Sequence, residues 1–423
     1  LKRRKGEARR KLPERPDLRR LAAGPRRSVA AARRVAREEG RALYLVGGPV
    51  RDLFLGRRPI DVDVVVEGDA QAFARRLAQA LGVQARVHER FGTATLPLPG
   101  DGRLDVARSR RETYAAPGAL PRVEPAPIAE DLGRRDFTIN AMALELSPGR
   151  RLLDPFGGKA DLERRVVRML HAGSAVDDPT RAFRAARYAN RLGFRVEPAT
   201  RLWIARAARD RAFDSVSGDR LRRELKLIFA EENRAGAARL LRDLGLDAAI
   251  DPALRSDAAV FRRLRRAETV ARRHPGETSW LLYLLVWTCG LDRDAVERLT
   301  RRFALSGEDA RRLRSWPEVF GSLAAGEPEE SRSRILARGL SGDELAATAA
   351  AVSGAAGRRL ERALAARPIR LAISGKDLLA AGVPSGRRIG EALAAALAAR
   401  RDGRISRRRE LAFAVAAARG EPS

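Results

Sequence analysis

Cysteine is almost absent from this chain. Cys289 is the only one in 423 residues, which excludes a disulfide framework and any zinc site built on several thiolates. Histidine is nearly as scarce, since His88, His171 and His274 are the only three and lie far apart, so a histidine metal cluster is not expected. Aromatic residues make up 5% of the chain, too few for a surface that grips nucleic acid by stacking base after base. No apolar run approaches the length of a membrane-spanning helix, and the first residues are charged rather than signal-like. A cytoplasmic protein is the expectation. The chain begins at Leu1 rather than Met, inside a basic stretch, and is expected to be a segment of a longer product.

Acids are also in short supply. There are 54 Asp+Glu against 84 Lys+Arg, a formal charge of +30, which points to a polyanionic partner. A GC-rich genome would favour arginine over lysine, but it would not create the excess over acids. The length allows about two to four domains. Residues 1–27 are basic and proline-spotted and read as a linker or arm, and an Ala/Arg helix from Ser28 to about Gly40 follows. From there to about Gly158 short apolar strands alternate with helices. After Asp161 helical periodicity takes over to the C-terminus, broken near Asp251-Pro252, His274-Pro275-Gly276, Gly326-Glu327-Pro328 and Pro368. The expected fold class is therefore α+β, a small mixed sheet followed by an all-α half.

The chemistry begins at Gly47-Gly48, which ends the apolar run Ala42 to Val46 and opens a helix. Backbone N–H groups at such a turn can face a phosphate. Beyond it, Ile60 to Val66 reads as a strand, and period-two alternation places Asp61 and Asp63 on one face with Val62 and Val64 in the core. Two carboxylates so placed can share hard cations such as Mg2+, and two such ions serve nucleotidyl transfer. Taken alone, Asp-Val-Asp also fits a solvated strand edge. Asp105, on a third short strand, is a candidate carboxylate for orienting a metal or accepting a hydroxyl proton. Arg135, in Arg134-Arg135-Asp136-Phe137-Thr138-Ile139-Asn140, would neutralise triphosphate charge, because guanidinium makes forked bonds to phosphate.

A later helix starts at Asp177-Asp178-Pro179 and ends at Gly193. Asp178, Arg181, Arg184 and Arg187 recur every third residue along it, as a salt-bridged face or as something sharper. Cytosine and adenine each offer an amino donor beside a ring-nitrogen acceptor, so an Asp178/Arg181 pair could accept from one and donate to the other. Uracil and guanine would leave the acid unpaired.

Together these segments resemble the bacterial class II tRNA nucleotidyltransferase and poly(A) polymerase family over roughly Leu43 to Phe229. The resemblance implies a polymerase-β-like head (28–158), then a helical neck (159–230), body (231–330) and tail (331–423). It also implies addition of some or all of C-C-A to tRNA from CTP and ATP with Mg2+. By position, Asp61 and Asp63 match the family's metal-binding acids, and Gly48 and Arg51, beside Gly47, match its nucleotide-contacting residues. Arg135, Asp178, Arg181, Arg184 and Arg187 match its nucleotide-binding positions. Leu153 to Gly158 looks like the hinge, and Arg220 with Glu224 looks like the pair that braces the base-reading helix. Ser374 to Gly390 resembles the C-terminal region of long bacterial members, and reads either as an RNA contact through Lys376, Arg387 and Arg388 or as a helix-hairpin connection. Glu67-Gly68-Asp69 and Ala119 to Glu124 look most like members with further domains upstream, which include A-adding enzymes; residues 1–27 would then be interdomain linker. The competing activities are a poly(A) polymerase, a non-catalytic RNA-binding protein on a decayed head, and a small-molecule nucleotidyltransferase.

Overall fold

A computed structural model describes residues 11–89, 92–98, 102–113, 118, 121–147, 151–274, 276, 278–324, 341–352, 354–365, 371–401 and 404–419. The chain divides into two compact units, Leu1–Val216 and Ser217–Ser423. The division falls inside the expected neck.

In the first unit, helix α1 (Ala23–Glu38) is followed by β1 (Leu43–Val46), α2 (Gly48–Phe54), β2 (Val62–Val66), α3 (Ala70–Leu81), β3 (Arg86–His88), β4 (Thr93–Pro97) and β5 (Arg103–Arg108). A hairpin of β6 (Arg110–Thr113) and β7 (Arg122–Pro125) leads to α4 (Ile128–Gly133), β8 (Ala143–Ser147) and β9 (Leu152–Leu153). The sheet order is β3-β4-β5-β2-β1-β8-β9. β2 and β5 are parallel and the other pairs antiparallel, which is a mixed sheet.

Both faces of the sheet centre are covered, which is why its strands read as unbroken apolar runs. Tyr44, Val46, Val65 and Ala143 pack with Ile128 and Leu132 of α4. Leu43 and Leu45, alternating to the other side, are fully buried on the face covered by α1 and α3. Asp63 shares the parity of Val65, so it lies on the α4 face. Helix α1 starts at Ala23, earlier than Ser28, because Leu21 and Pro25 are buried with it. Part of the expected arm thus belongs to this fold.

The unit continues with α5 (Gly158–Arg164), β10 (Val166–Val167), α6 (Ser174–Asp177), α7 (Thr180–Leu192), β11 (Arg195–Val196) and α8 (Pro198–Arg209). β10 and β11 pair in parallel, a small departure from the all-helical expectation after Asp161.

The second unit is helical: α9 (Gly218–Phe229), α10 (Arg234–Asp243), α11 (Leu246–Ile250), α12 (Ala258–Arg273), α13 (Trp280–Trp287), α14 (Arg293–Arg302) and α15 (Gly307–Ala324), then Gly342–Ala351, Ala355–Ala365, Gly375–Ala380, Arg387–Arg401 and Glu410–Arg419. Helix α13 is apolar all round and therefore buried all round, with Phe229 against Tyr283 and Trp287. A separate small core joins the last three helices, crossed by the buried ion pair of Arg400 and Glu410 at 2.5 Å. No helix among the described residues is long and apolar enough to cross a membrane.

Candidate active site

The parallel register of β2 and β5 sets Asp63 directly beside Asp105, and Asp61 just precedes β2. Neighbouring strands lie about 4.8 Å apart, so two like charges are forced together. Burial and Asp105 push the Asp63 carboxyl up to about 6, against the pull of Arg135 and Arg103. No protein donor reaches the Asp63 carboxylate among the described residues. Asp105 is held from both sides, accepting from Thr95 Oγ1 at 2.6 Å and Arg103 Nε at 3.1 Å. Asp61 is exposed and accepts from the Arg103 amide at 3.1 Å.

These acids form an open face, and no group of three or more His, Cys, Asp or Glu among the described residues is closed around a point. Such a donor set suits a hard cation that keeps waters and takes oxygens from its substrate. It does not suit zinc.

Opposite the acids, Gly47 turns the chain with φ +70°, its N–H donating to Met142 O at 3.2 Å. A Cβ there would sit 2.8 Å from Arg135 Nη1, so glycine is needed for the guanidinium to lie over the turn. Arg135 donates from Nη2 to Asp131 at 2.9 Å, while its Nε is buried with no partner. Burial would raise Asp131, but Arg135 and Arg134 hold it below the usual carboxylate range.

Gly48 opens α2 with the Arg51 guanidinium close by. Arg51 is buried and donates to both oxygens of Asp52 at 3.0 Å and to Asn140 Oδ1 at 2.6 Å, its guanidinium 5.2 Å from the Tyr188 ring centroid. Asn140 Nδ2 in turn donates to Asp136 Oδ1 at 3.0 Å, and Arg184 Nη2 lies 2.6 Å from Asp136 Oδ2. A buried relay therefore runs from the glycine turn to α7. Against the effect of its burial, Arg184 and Asn140 keep Asp136 low.

The residues of the α7 series do not form one solvent-facing ridge. Asp178 lies just before α7 and accepts from the Thr180 amide at 3.1 Å and Thr180 Oγ1 at 2.6 Å, tying the approach to the first helical residue. Arg181 is buried, donating to Ser174 Oγ at 2.7 Å and Arg134 O at 2.8 Å. It also lines a cleft of about 260 Å³ with Arg111, Glu112, Glu130, His171 and Asp177. Arg187 is buried 5.0 Å from the Tyr188 ring centroid. A larger cleft of about 1170 Å³ opens beside Asp105, lined by Arg86, His88, Thr95 and Arg103.

Arg103, Asp136, Asn140 and Tyr188 were not singled out from sequence. Arg103 had a signal, since it sits two residues from Asp105 on the same strand face. In the second unit Arg220 and Glu224 are half-buried one turn apart on α9, and Lys376, Arg387 and Arg388 are exposed, Arg387 pairing with Glu391 at 2.9 Å.

Residues 43–168 match the family model described as the poly A polymerase head domain. An A-adding tRNA nucleotidyltransferase of Geobacter sulfurreducens is 36% identical over 406 residues, covering 91% of this chain and 46% of its own length. A CC-adding tRNA nucleotidyltransferase of Halalkalibacterium halodurans is 30% identical over 289 residues, covering 67% of this chain and 70% of its own. A solved CCA-adding enzyme in complex with CTP superposes with a TM-score of 0.70 at 30% identity, covering 95% of this chain and 96% of that one. The chain spans about half the length, or less, of the first curated relatives it matches: 46%, 48% and 31%.

Proposed function

We propose, because the chain belongs to the bacterial tRNA nucleotidyltransferase and poly(A) polymerase family, that it adds nucleotides without a template to the 3′ end of tRNA, using ATP, CTP or both. The observation that carries this reading is the in-register pair Asp63 and Asp105 with Asp61 beside them, faced by Arg135 over a glycine turn. Its setting in the cell is the cytoplasm.

Asp61 and Asp63 would hold Mg2+, which when bound offsets the repulsion between the acids and stabilises negative charge building on phosphoryl oxygens. Arg135 brings positive charge, and an unsatisfied Nε, to the side of the turn where a triphosphate would meet it. Arg103 and Thr95 fix the Asp105 carboxylate, so it can receive the proton of an attacking RNA hydroxyl in a set direction. Asp178 and Arg181 are the candidate readers of the base, and both also hold the entry of α7 in place. A reader that is locked before the base arrives discriminates better than a mobile one.

Addition of a single A to a CC end is the first activity to test, since the Geobacter relative carries that name across 91% of this chain. Full C-C-A addition is the second, favoured by the likeness to a CCA-adding enzyme over 95% of it. Transcripts ending in none, one, two or three of the terminal nucleotides, each incubated with one NTP, separate them. One A on a CC end supports the first, growth through C-C-A the second, and continuing A addition would indicate a poly(A) polymerase.

A further inference from the structure

We infer that Tyr188 is a positioning residue for nucleotide binding, its ring holding the guanidiniums of Arg51 and Arg187 together so that both can meet one triphosphate. The inference rests on the proposed function, which gives the two arginines a phosphate to meet.

Arg51 belongs to α2 and Arg187 to α7, so neither helix by itself sets the distance between them. The Tyr188 ring does, with its centroid 5.2 Å from the Arg51 guanidinium carbon, 5.0 Å from that of Arg187 and 5.9 Å from that of Arg191. The ring is itself supported, because the fully buried Phe137 meets it edge to face at 5.7 Å and 78°. Three cations thus share one aromatic ring.

Guanidiniums gathered within about 10 Å of one another repel, since that spacing is close to the screening length of physiological salt. The negative faces of an aromatic ring draw cations in and offset the repulsion. Arg51 is fixed at its edges as well, by Asp52 at Nε and Nη2 and by Asn140 Oδ1 at Nη1. These bonds use three of its five N–H groups and leave one on each terminal nitrogen without a protein partner among the described residues. Those two point to an external anion. Asn140 and Asp136 tie Arg51 to α7 at Arg184, whereas the ring ties it to Arg187. The Tyr188 hydroxyl makes no hydrogen bond to protein among the described residues, so the ring makes the connection.

The test is equilibrium displacement of a fluorescent ATP from the full chain, with Mg2+ present, by inorganic tripolyphosphate and by adenosine. Tyr188→Leu removes the aromatic face, and should raise the Kd of tripolyphosphate about five- to tenfold while moving that of adenosine by less than about twofold. Tyr188→Phe keeps the face and should bring tripolyphosphate binding back to within about twofold of the parent. In steady-state incorporation the Leu variant should raise KM for ATP by a similar factor with kcat within about threefold, the pattern of lost binding rather than lost chemistry. Tyr188→Met takes its place if the Leu variant fails to fold. A merely structural part for Tyr188 would loosen α7 as a whole and weaken adenosine and tripolyphosphate alike, which would overturn the inference. Unchanged tripolyphosphate binding in the Leu or Met variant would also overturn it, as would a Phe variant as impaired as either. In each of those cases the parent binds and the reading of the head stands. A parent chain that binds no ATP would instead break the reading of the head and carry this inference down with it.

Discussion

Arginine is used differently around the glycine turn of the first unit and along α12 of the second. In the first, Arg51, Arg134, Arg135 and Arg184 each lie against a carboxylate of Asp52, Asp131 or Asp136, and most of that contact is buried. In the second, Arg262, Arg265 and Arg266 of α12 face solvent with no acid partner among the described residues. Buried pairs fix positions, because a charge removed from water needs a partner in one place. Exposed, unpartnered charge fixes nothing within the fold and is left for an external anion.

The acids of the sheet are the exception within the head, being like charges with few donors, and removing them should have the largest effect. Asp61→Ala with Asp63→Ala is expected to lower kcat on a tRNA end by on the order of 10³-fold or more, the loss of several kcal/mol of charge stabilisation. Single-turnover incorporation of labelled ATP measures it. Unchanged incorporation would remove the catalytic assignment and leave the acids as a solvated strand edge.

Next in size is the buried relay. Asp136→Ala strips partners from Asn140 and Arg184 and leaves the Phe137 amide without its acceptor. Breaking a buried pair from one side costs about 3–5 kcal/mol, and the half-exposed Arg184 can recover some solvation, so about 2–3 kcal/mol is expected. Urea denaturation gives the value. A loss under about 0.5 kcal/mol would mean that the relay does not hold α7 against the glycine turn.

This relay marks where the sequence stopped being readable. Alternation along Ile60 to Val66 was enough to put Asp61 and Asp63 on one face, whereas the place of Asp105 beside Asp63 comes from the parallel pairing of β2 with β5, which neither strand's own sequence carries. The acids and proline before Thr180 and the glycine after Leu192 bounded α7. Which way its arginines turn was not legible. Arg181 is held inward by Ser174 Oγ and a carbonyl 47 residues away, and Arg184 by an acid from another segment. Periodicity gives the helix face, while the partner that draws a long side chain inward comes from tertiary structure. The same limit hid Tyr188, whose ring meets Arg51 from another element.

A smaller, pH-dependent effect follows from Asp63. Its carboxyl titrates near 6 rather than at the ordinary 3.8, because burial and Asp105 disfavour its charge. Between those values the native state holds a proton the unfolded chain has lost, so the metal-free protein loses stability as pH rises through about 4 to 6. Cation binding needs the ionised form, so apparent Mg2+ affinity should fall about tenfold from pH 7 to pH 5. Calorimetric titration with Mg2+ alone at the two pH values measures the ratio. A flat response would show that Asp63 is already ionised and has less company from Asp105 than the register implies.

The smallest effect is expected where charge is least compensated. Arg265→Ala and Arg266→Ala remove exposed guanidiniums with no acid partner among the described residues, so no buried group is orphaned and some mutual repulsion is relieved. Stability should change by less than about 0.5 kcal/mol, with a slight gain at low salt that fades as salt rises. Thermal melts at two ionic strengths would show it. A loss of about 2 kcal/mol, comparable to Asp136→Ala, would mean that these arginines pack on the fold through their stems. The contrast between arginines that order a site and arginines held for an external anion would then fail on the side of the second unit.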